Sequence, residues 1–243
     1  LGYYGIAVMG LAFLINIPGT ARAVMEPRLM STVEESSTQD VVDDYVVAPL
    51  LKTAFLMPFL LGPAFLATPL AVPLLLPRYT GGVLAAQTLI LGSLFLALAY
   101  VPRMVIVARD WQLSVSWRLP PILLVNVGLG VLLVKSGYYL FGVALATCIS
   151  FGLLFGVMFG FLWSRLGKVL RRRKGYLLAL AVPIGALFAL VFGLAAGVPL
   201  FIEHEFLAAS VSVLLFWAAY WPLYGFFRRR IEMLDALKIG NFL

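Results

Sequence analysis

The stretch TAFLMPFLLGPAFLATPLAVPLLLP, residues 53–77, contains 25 residues without one charged side chain. A helix rises about 1.5 Å per residue, so about 20 apolar residues cross the roughly 30 Å hydrocarbon layer of a bilayer. A strand of a membrane barrel needs only about 9 to 11 residues and alternates in polarity, which this stretch does not. The stretch therefore predicts a membrane-spanning α-helix.

The same pattern recurs six more times, and the charged residues separate the runs. Of the whole chain, 63% of residues are hydrophobic and 12% are charged, whereas a soluble domain carries about 25% charged residues. The shortest run must use the snorkelling ends of Arg118 and Lys135 to cross. The sequence predicts an all-α integral membrane protein with seven transmembrane helices. Beside residues 53–77, the charge-free runs are 1–21, 79–102, 119–134, 136–164, 175–202 and 206–227.

The basic residues predict the orientation of these spans. If all seven runs cross, sixteen of the 18 Lys and Arg residues fall on one face, and only Arg78 and Lys135 on the other. Cytoplasmic loops carry the excess of Lys and Arg, so we expect a multi-pass protein of the cytoplasmic membrane with a cytoplasmic C-terminus. Residue 1 then lies outside, which leads us to expect further spans upstream.

Two regions follow from this arrangement. Residues 1–164 hold five spans, and residues 165–243 hold a basic cytoplasmic loop, two further spans and an amphipathic tail suited to the inner leaflet. The net charge of +7 does not indicate nucleic-acid binding, because the basic residues lie between apolar runs. We expect the loop to contact anionic lipid headgroups, at about 1 kcal/mol per residue. Its basic residues are Arg165, Lys168, Arg171, Arg172, Arg173 and Lys174.

The residues that could carry catalysis or hold a metal are few. The chain contains no phosphate-binding loop, no HExxH, no GxSxG and no dinucleotide-binding glycine pattern. Cys148 is the single cysteine. The triplet 203–205 (EHE) and the pair 43–44 (DD) are interpreted as solvated, with a metal site as the alternative. We therefore predict no metal, no cofactor and no enzymatic activity.

Proline and glycine mark two unusual places within the spans. Residues 53–77 contain five prolines, each of which removes a backbone hydrogen bond and can bend the helix. Such a broken helix is typical of transporters that rock between states; static irregular packing is the alternative. Gly152, Gly156 and Gly160 recur every fourth residue and predict the close approach of another helix.

Four residues form the candidate substrate site. Arg22 and Glu26 lie four residues apart at the end of the first run, and Asn16 precedes them on the same side. Charge at membrane depth is costly and is usually functional. Either these residues line a cationic cavity for an anionic substrate, or they form a snorkelling pair at the interface. Arg103, beside Tyr100 and Pro102, has the same two interpretations.

Several strings resemble a known family. LGYYGIA (1–7) with IPGTARAVMEPRL (17–29), PLLLPRYTGG (73–82) and SGYYLFGVALATCIS (136–150) resemble, in order, motifs of oligosaccharide flippases. These belong to the multidrug/oligosaccharidyl-lipid/polysaccharide exporter superfamily. The resemblance covers about residues 1–165, and the last two spans agree in number only.

The resemblance implies a transporter of fourteen helices in two inverted bundles, of which this chain would form helices eight to fourteen. It implies flipping of a polyprenyl-diphosphate-linked oligosaccharide by alternating access, with an N-terminal bundle of the same protein as partner. Many relatives place a basic residue shortly after the opening motif, whereas residues 8–11 are uncharged here. Phosphate recognition would then fall to Arg22 or to the N-terminal bundle.

Other functions remain open. A multidrug/cation antiporter of the same superfamily would need acidic residues within the spans, and these runs contain none. A membrane glycosyltransferase or polymerase would need catalytic residues in an outer loop, where Glu203 and Glu205 are the only carboxylates. A non-transporting scaffold of the glycan assembly machinery is the remaining alternative.

Overall fold

The computed structural model describes residues 42–170, 176–200 and 204–239, together with nine single residues near the N-terminus. All regular structure in this part of the chain is helical. A π-helical turn, Asp43–Val47, leads into the first long helix, and short 3-10 or π turns connect several of the others. The α-helices are α1 (Ala48–Leu75), α2 (Val83–Ala108), α3 (Gln112–Ser116), α4 (Leu119–Leu133), α5 (Tyr139–Leu170), α6 (Tyr176–Gly197) and α7 (Glu205–Ile239). The single residues are Gly5, Val8, Ala12, Asn16, Gly19, Thr20, Glu26, Pro27 and Leu29.

Five stretches of the described chain are long and apolar enough to cross a membrane. They are Tyr45–Leu75, Pro77–Ala108, Gln112–Gly167, Ala179–Leu200 and Phe206–Gly225. The prediction of a helical protein with several apolar helices of membrane-spanning length is therefore confirmed. The first predicted span, residues 1–21, lies outside the described ranges apart from single residues. The count of seven and the two-bundle architecture stay predictions.

The longest of these stretches, Gln112–Gly167, folds back on itself. Gly137 adopts φ +87° and Tyr139 φ +38°, which breaks the helix between α4 and α5. A Cβ on Gly142 would lie 2.7 Å from the Cβ of Leu133, so the two helices leave the turn in close contact. Glycine is needed at position 137 for the left-handed backbone and at position 142 for space. The stretch is thus a helical hairpin, as the separate runs 119–134 and 136–164 predict.

Contacts between helices fix their relative directions. Trp217 and Tyr220 of α7 bond to Phe59 and Phe55 of α1 respectively, so the residue numbers run in opposite senses. Helices α1 and α7 are therefore antiparallel. In contrast, α2 and α5 are parallel, since Gly92 contacts Cys148 and the later Ile106 shares a cluster with Phe161. These directions are the ones that alternate crossings of a membrane require.

The core lies between α1 and α2, with α5, α6 and α7 packed around them. Leu61 of α1, Leu94 and Leu98 of α2, and Phe216 and Tyr220 of α7 are fully buried in one cluster. By contrast, α4 has no buried residue and lies at the edge of the bundle. An apolar surface of this kind suits lipid rather than water. The exposed apolar residues of α4 include Leu123, Leu124, Val127, Val131 and Leu132.

The glycines of α5 lie in open space. A Cβ on Gly152, Gly156 or Gly160 would meet no atom within 4 Å, so no described helix covers the predicted glycine face. Helix α5 instead approaches α2 closely on another side. A Cβ on Gly92 of α2 would lie 3.0 Å from the Cα of Cys148.

Helix α7 extends well beyond the last apolar run. It continues without a break to Ile239, through the basic residues that were expected to begin a separate interfacial helix. Its 35 residues correspond to about 50 Å, more than the roughly 30 Å of hydrocarbon. The tail is therefore a continuation of the final span as far as residue 239.

Candidate functional site

The four predicted substrate-site residues are described unequally. Asn16 is exposed, and its carbonyl oxygen accepts a hydrogen bond of 2.9 Å from Thr20 Oγ1. Glu26 is half-buried and has an interaction partner. Arg103 is exposed on α2, between the buried Pro102 and Met104. Arg22 lies outside the described residues, so the cationic cavity stays a prediction.

The predicted headgroup-binding loop begins inside a helix. Arg165 is exposed in the last turns of α5, and the backbone of Lys168 continues the same helix. The four residues 171–174 lie outside the described residues. His204 is exposed at the start of α7. No group of three or more His, Cys, Asp or Glu side chains that could hold a metal occurs among the described residues.

Helix α1 carries four internal prolines, Pro58, Pro63, Pro69 and Pro73. A proline has no N–H, so the carbonyl four residues earlier loses its helical donor. In hydrocarbon an unsatisfied carbonyl costs several kcal/mol. Side chains of neighbouring helices, water or local changes of helix geometry can satisfy such carbonyls.

The structure supplies two of these donors. Pro63 frees the carbonyl of Phe59, which accepts a bond from Trp217 Nε1 on α7 at 3.3 Å, at the long end of the usual range. Pro69 frees the carbonyl of Phe65, which accepts a bond from Gln87 Nε2 on α2 at 3.1 Å. The prolines of α1 are thus matched by polar side chains on both of its neighbours.

A third donor lies one turn away. The hydroxyl of the fully buried Tyr220 donates to the carbonyl of Phe55 at 3.0 Å, in the turn that precedes Pro58. Tyr220 stacks on Phe216, with ring centroids 5.6 Å apart. This pair holds the first half of α1 against α7.

Aromatic rings cover the same face of α1. Phe59 contacts Trp217 and Tyr224, each with ring centroids 6.0 Å apart. A Cβ on Gly62 would lie 2.0 Å from Phe216 Cζ, so the phenyl ring sits directly on the α1 backbone. Glycine is required here because any side chain would occupy the space of the ring.

An open cleft of about 330 Å³ lies further along the same pair of helices. Its only hydroxyl-bearing residue is Ser210, so it offers little to a polar headgroup. The lining residues are Ala67, Leu70, Ala209, Ser210, Val213 and Leu214.

The proline-matching donors were not recognisable from the sequence as such. Gln87 and Trp217 carry N–H donors and lie within apolar runs. This is the one feature of the sequence that could have indicated their role. Together they replace two of the internal bonds that the prolines remove from the continuous helix α1 with bonds to other helices.

The chain matches no model of a known protein family, no characterised protein and no solved structure.

Proposed function

We propose that this chain is the C-terminal bundle of a flippase that moves polyprenyl-diphosphate-linked oligosaccharide across the cytoplasmic membrane for surface polysaccharide assembly. The observation that carries the proposal is helix α1 with its four internal prolines, two of whose freed carbonyls are bonded to Trp217 of α7 and Gln87 of α2.

The prolines of α1 favour transport over a static role. Each proline removes a helical bond and weakens the helix at that point. In a transporter, a span that contains prolines and is held by side-chain donors can bend when the donors change partners. Helix α1 contacts both halves of the described bundle, α2 on one side and α7 on the other. A change of its bend would move those halves relative to each other.

The places of the resembling motifs support the choice of family. PLLLPRYTGG forms the end of α1, the exposed 3-10 turn Pro77–Gly82 and the approach to α2. SGYYLFGVALATCIS begins in the turn at Gly137 and supplies small buried residues of α5, among them Ala144 and Ala146. The second of these motifs needs its glycines, Gly137 for the left-handed turn and Gly142 for the close contact with Leu133.

The charge of the spans favours an anionic lipid-linked substrate over a cation. None of the five described membrane-length stretches contains Asp or Glu, and a cation antiporter needs acidic groups there to bind its ion. The multidrug/cation antiporter therefore remains the second candidate, and a scaffold the third.

A reconstitution experiment tests the proposal. The intact protein is placed in proteoliposomes with a polyprenyl-diphosphate oligosaccharide labelled in one leaflet, and appearance in the other leaflet is followed with a membrane-impermeant sugar oxidant. We expect transfer well above that of protein-free vesicles. If lipid transfer is equal in both vesicle types but the protein mediates efflux of organic cations, the antiporter is supported. If the protein shows neither activity, the scaffold is the remaining candidate.

Two variants refine the site. Arg22→Ala should lower transfer without lowering the amount of protein in the membrane, because a phosphate-binding charge is lost. Arg78→Ala, at the opposite face, is the matched control. Unchanged transfer in Arg22→Ala would remove Arg22 from the binding role and leave the N-terminal bundle to hold the phosphates.

A further inference from the structure

Two arginines and two aromatic rings meet where α2 ends, α4 begins and α5 ends. The guanidinium carbon of Arg118 lies 5.1 Å from the centre of the Phe161 ring. That of Arg165 lies 5.6 Å from the same ring and 5.8 Å from Trp111. Two guanidinium groups over one ring lie within about 11 Å of each other. We call Arg118, Arg165, Phe161 and Trp111 the arginine–aromatic cluster.

The positive charge of this cluster is uncompensated within the described part of the chain. Among the side chains that the structure describes, which do not include those of Asp43 and Asp44, no carboxylate forms an ion pair with Arg118 or Arg165, and Asp110 is exposed. The Nε atom of Arg109 is buried and has no hydrogen-bond partner. Arg109 precedes Trp111 by two residues, and a buried donor without a hydrogen-bond partner is unfavourable.

The aromatic rings orient the guanidinium groups for such an anion. A ring contacts the flat face of a guanidinium group, and the N–H donors lie in the plane of that group, at its edge. The guanidinium groups lie over the rings of Phe161 and Trp111, and a guanidinium group that faces a ring keeps its edge donors for an anion. Phosphate oxygens are well matched to the fork of N–H donors that an arginine presents. The cluster is consequently a preformed binding site for a phosphate group, with the arginines as hydrogen-bond donors.

The surroundings of the cluster indicate the surface of a bilayer. Trp117 is 85% exposed and Leu113 is 78% exposed on the short segment that contains α3. Tryptophan is enriched at the level of lipid headgroups. Directly after Arg118 begins α4, whose apolar side chains, such as Leu123 and Leu124, are exposed along the edge of the bundle. A lipid with its headgroup at the cluster would lay its acyl chains along α4.

We propose that the arginine–aromatic cluster binds the headgroup phosphate of an anionic bilayer phospholipid, with Arg118 and Arg165 as the donors. The exposed face of α4 receives the acyl chains. This site does not depend on the transport activity proposed above, since a bilayer lipid would occupy it in a flippase, an antiporter or a scaffold.

Native mass spectrometry of the intact protein in detergent tests this site. The probes are phosphatidylglycerol and phosphatidylcholine, titrated separately, and the measured quantity is the fraction of protein with one bound lipid. We expect phosphatidylglycerol to bind more tightly. Arg118→Gln should weaken its binding about fivefold, and Arg118→Gln with Arg165→Gln about thirtyfold. Because Arg118 is exposed, the single variant should fold and carries the test if the double variant does not.

The matched control removes the same charge from the opposite end of the bundle. Arg78→Gln with Lys135→Gln, both exposed in turns, should change binding less than twofold. If the two double variants weaken phosphatidylglycerol binding equally, the effect is one of net charge, and the proposed site is overturned. Equal binding of the two lipids would also overturn it. Displacement of the lipid by an equal concentration of inorganic diphosphate would show a phosphate site without lipid specificity, which likewise contradicts the proposal.

Discussion

The indole Nε1 of Trp217 lies 3.3 Å from the carbonyl oxygen of Phe59, the carbonyl that Pro63 leaves without a helical donor. We predict that Trp217→Phe lowers the free energy of unfolding by about 1 kcal/mol, the usual scale of a hydrogen bond between membrane helices. Phenylalanine keeps a ring against Phe59, so the lost donor is the main change. Thermal or denaturant unfolding of the purified protein in detergent measures the difference.

A double-mutant cycle isolates the role of the proline. In Pro63→Ala the new N–H can bond to the carbonyl of Phe59 within α1, so the indole donor becomes dispensable. Trp217→Phe should then cost clearly less in the Pro63→Ala background than in the native chain. An equal cost in both backgrounds would show that Trp217 stabilises the bundle by packing alone.

The same logic applies at the second proline. Gln87→Leu should destabilise the protein by about 1 kcal/mol, because the carbonyl of Phe65 loses its 3.1 Å bond from Nε2. Pro69→Ala should remove most of that cost. The control is Thr88→Val on the same helix. The hydroxyl of Thr88 bonds to the carbonyl of Leu84 in its own helix, so this change should cost less than 0.5 kcal/mol.

The sequence predicted the spans far better than the contacts between them. The run 119–134 matches α4 (Leu119–Leu133), because its prolines and flanking charges define both ends. The run 79–102 is too short, since α2 continues past the exposed Arg103 to Ala108. A charge ends an apolar run, but it does not end a helix when the side chain can reach water.

The interhelical donors could not be predicted from one sequence. Trp217 and Phe59 are 158 residues apart, and Gln87 and Phe65 are 22 apart. Proline positions show which carbonyls lose a donor, but only the packing of α1 against its neighbours decides which side chain replaces it. The parallel packing of α2 and α5 likewise brings Arg165 to Trp111, two residues that are 54 positions apart in the sequence.

Gly62 provides a test of the α1–α7 contact. A Cβ at this position would lie 2.0 Å from Phe216 Cζ, so Gly62→Ala must displace the phenyl ring or separate the helices. We expect a loss of about 1 to 3 kcal/mol of stability, as is usual for overpacking. Phe216→Leu should recover part of the loss in the same chain, because it removes the clashing end of the ring.

The glycines of α5 give the opposite expectation. A Cβ on Gly156 would meet no described atom within 4 Å, and alanine is favoured over glycine within a helix by about 0.5 to 1 kcal/mol. Gly156→Ala should therefore be neutral or slightly stabilising in unfolding experiments. A marked loss of stability would show that a segment outside the described residues packs on this face.

Cysteine accessibility tests the orientation of the bundle. Cys148 is the single cysteine, and Cys148→Ala gives a background without thiols in which new cysteines can be placed at exposed turns. The excess of basic residues on one face predicts that Arg78→Cys and Lys135→Cys react from outside intact cells with a membrane-impermeant maleimide. Leu113→Cys, in the segment between α2 and α4, should react only after the cells are opened. Labelling in the reverse pattern would invert the topology, and labelling of all three from outside would mean that α2 and α4 do not cross the membrane.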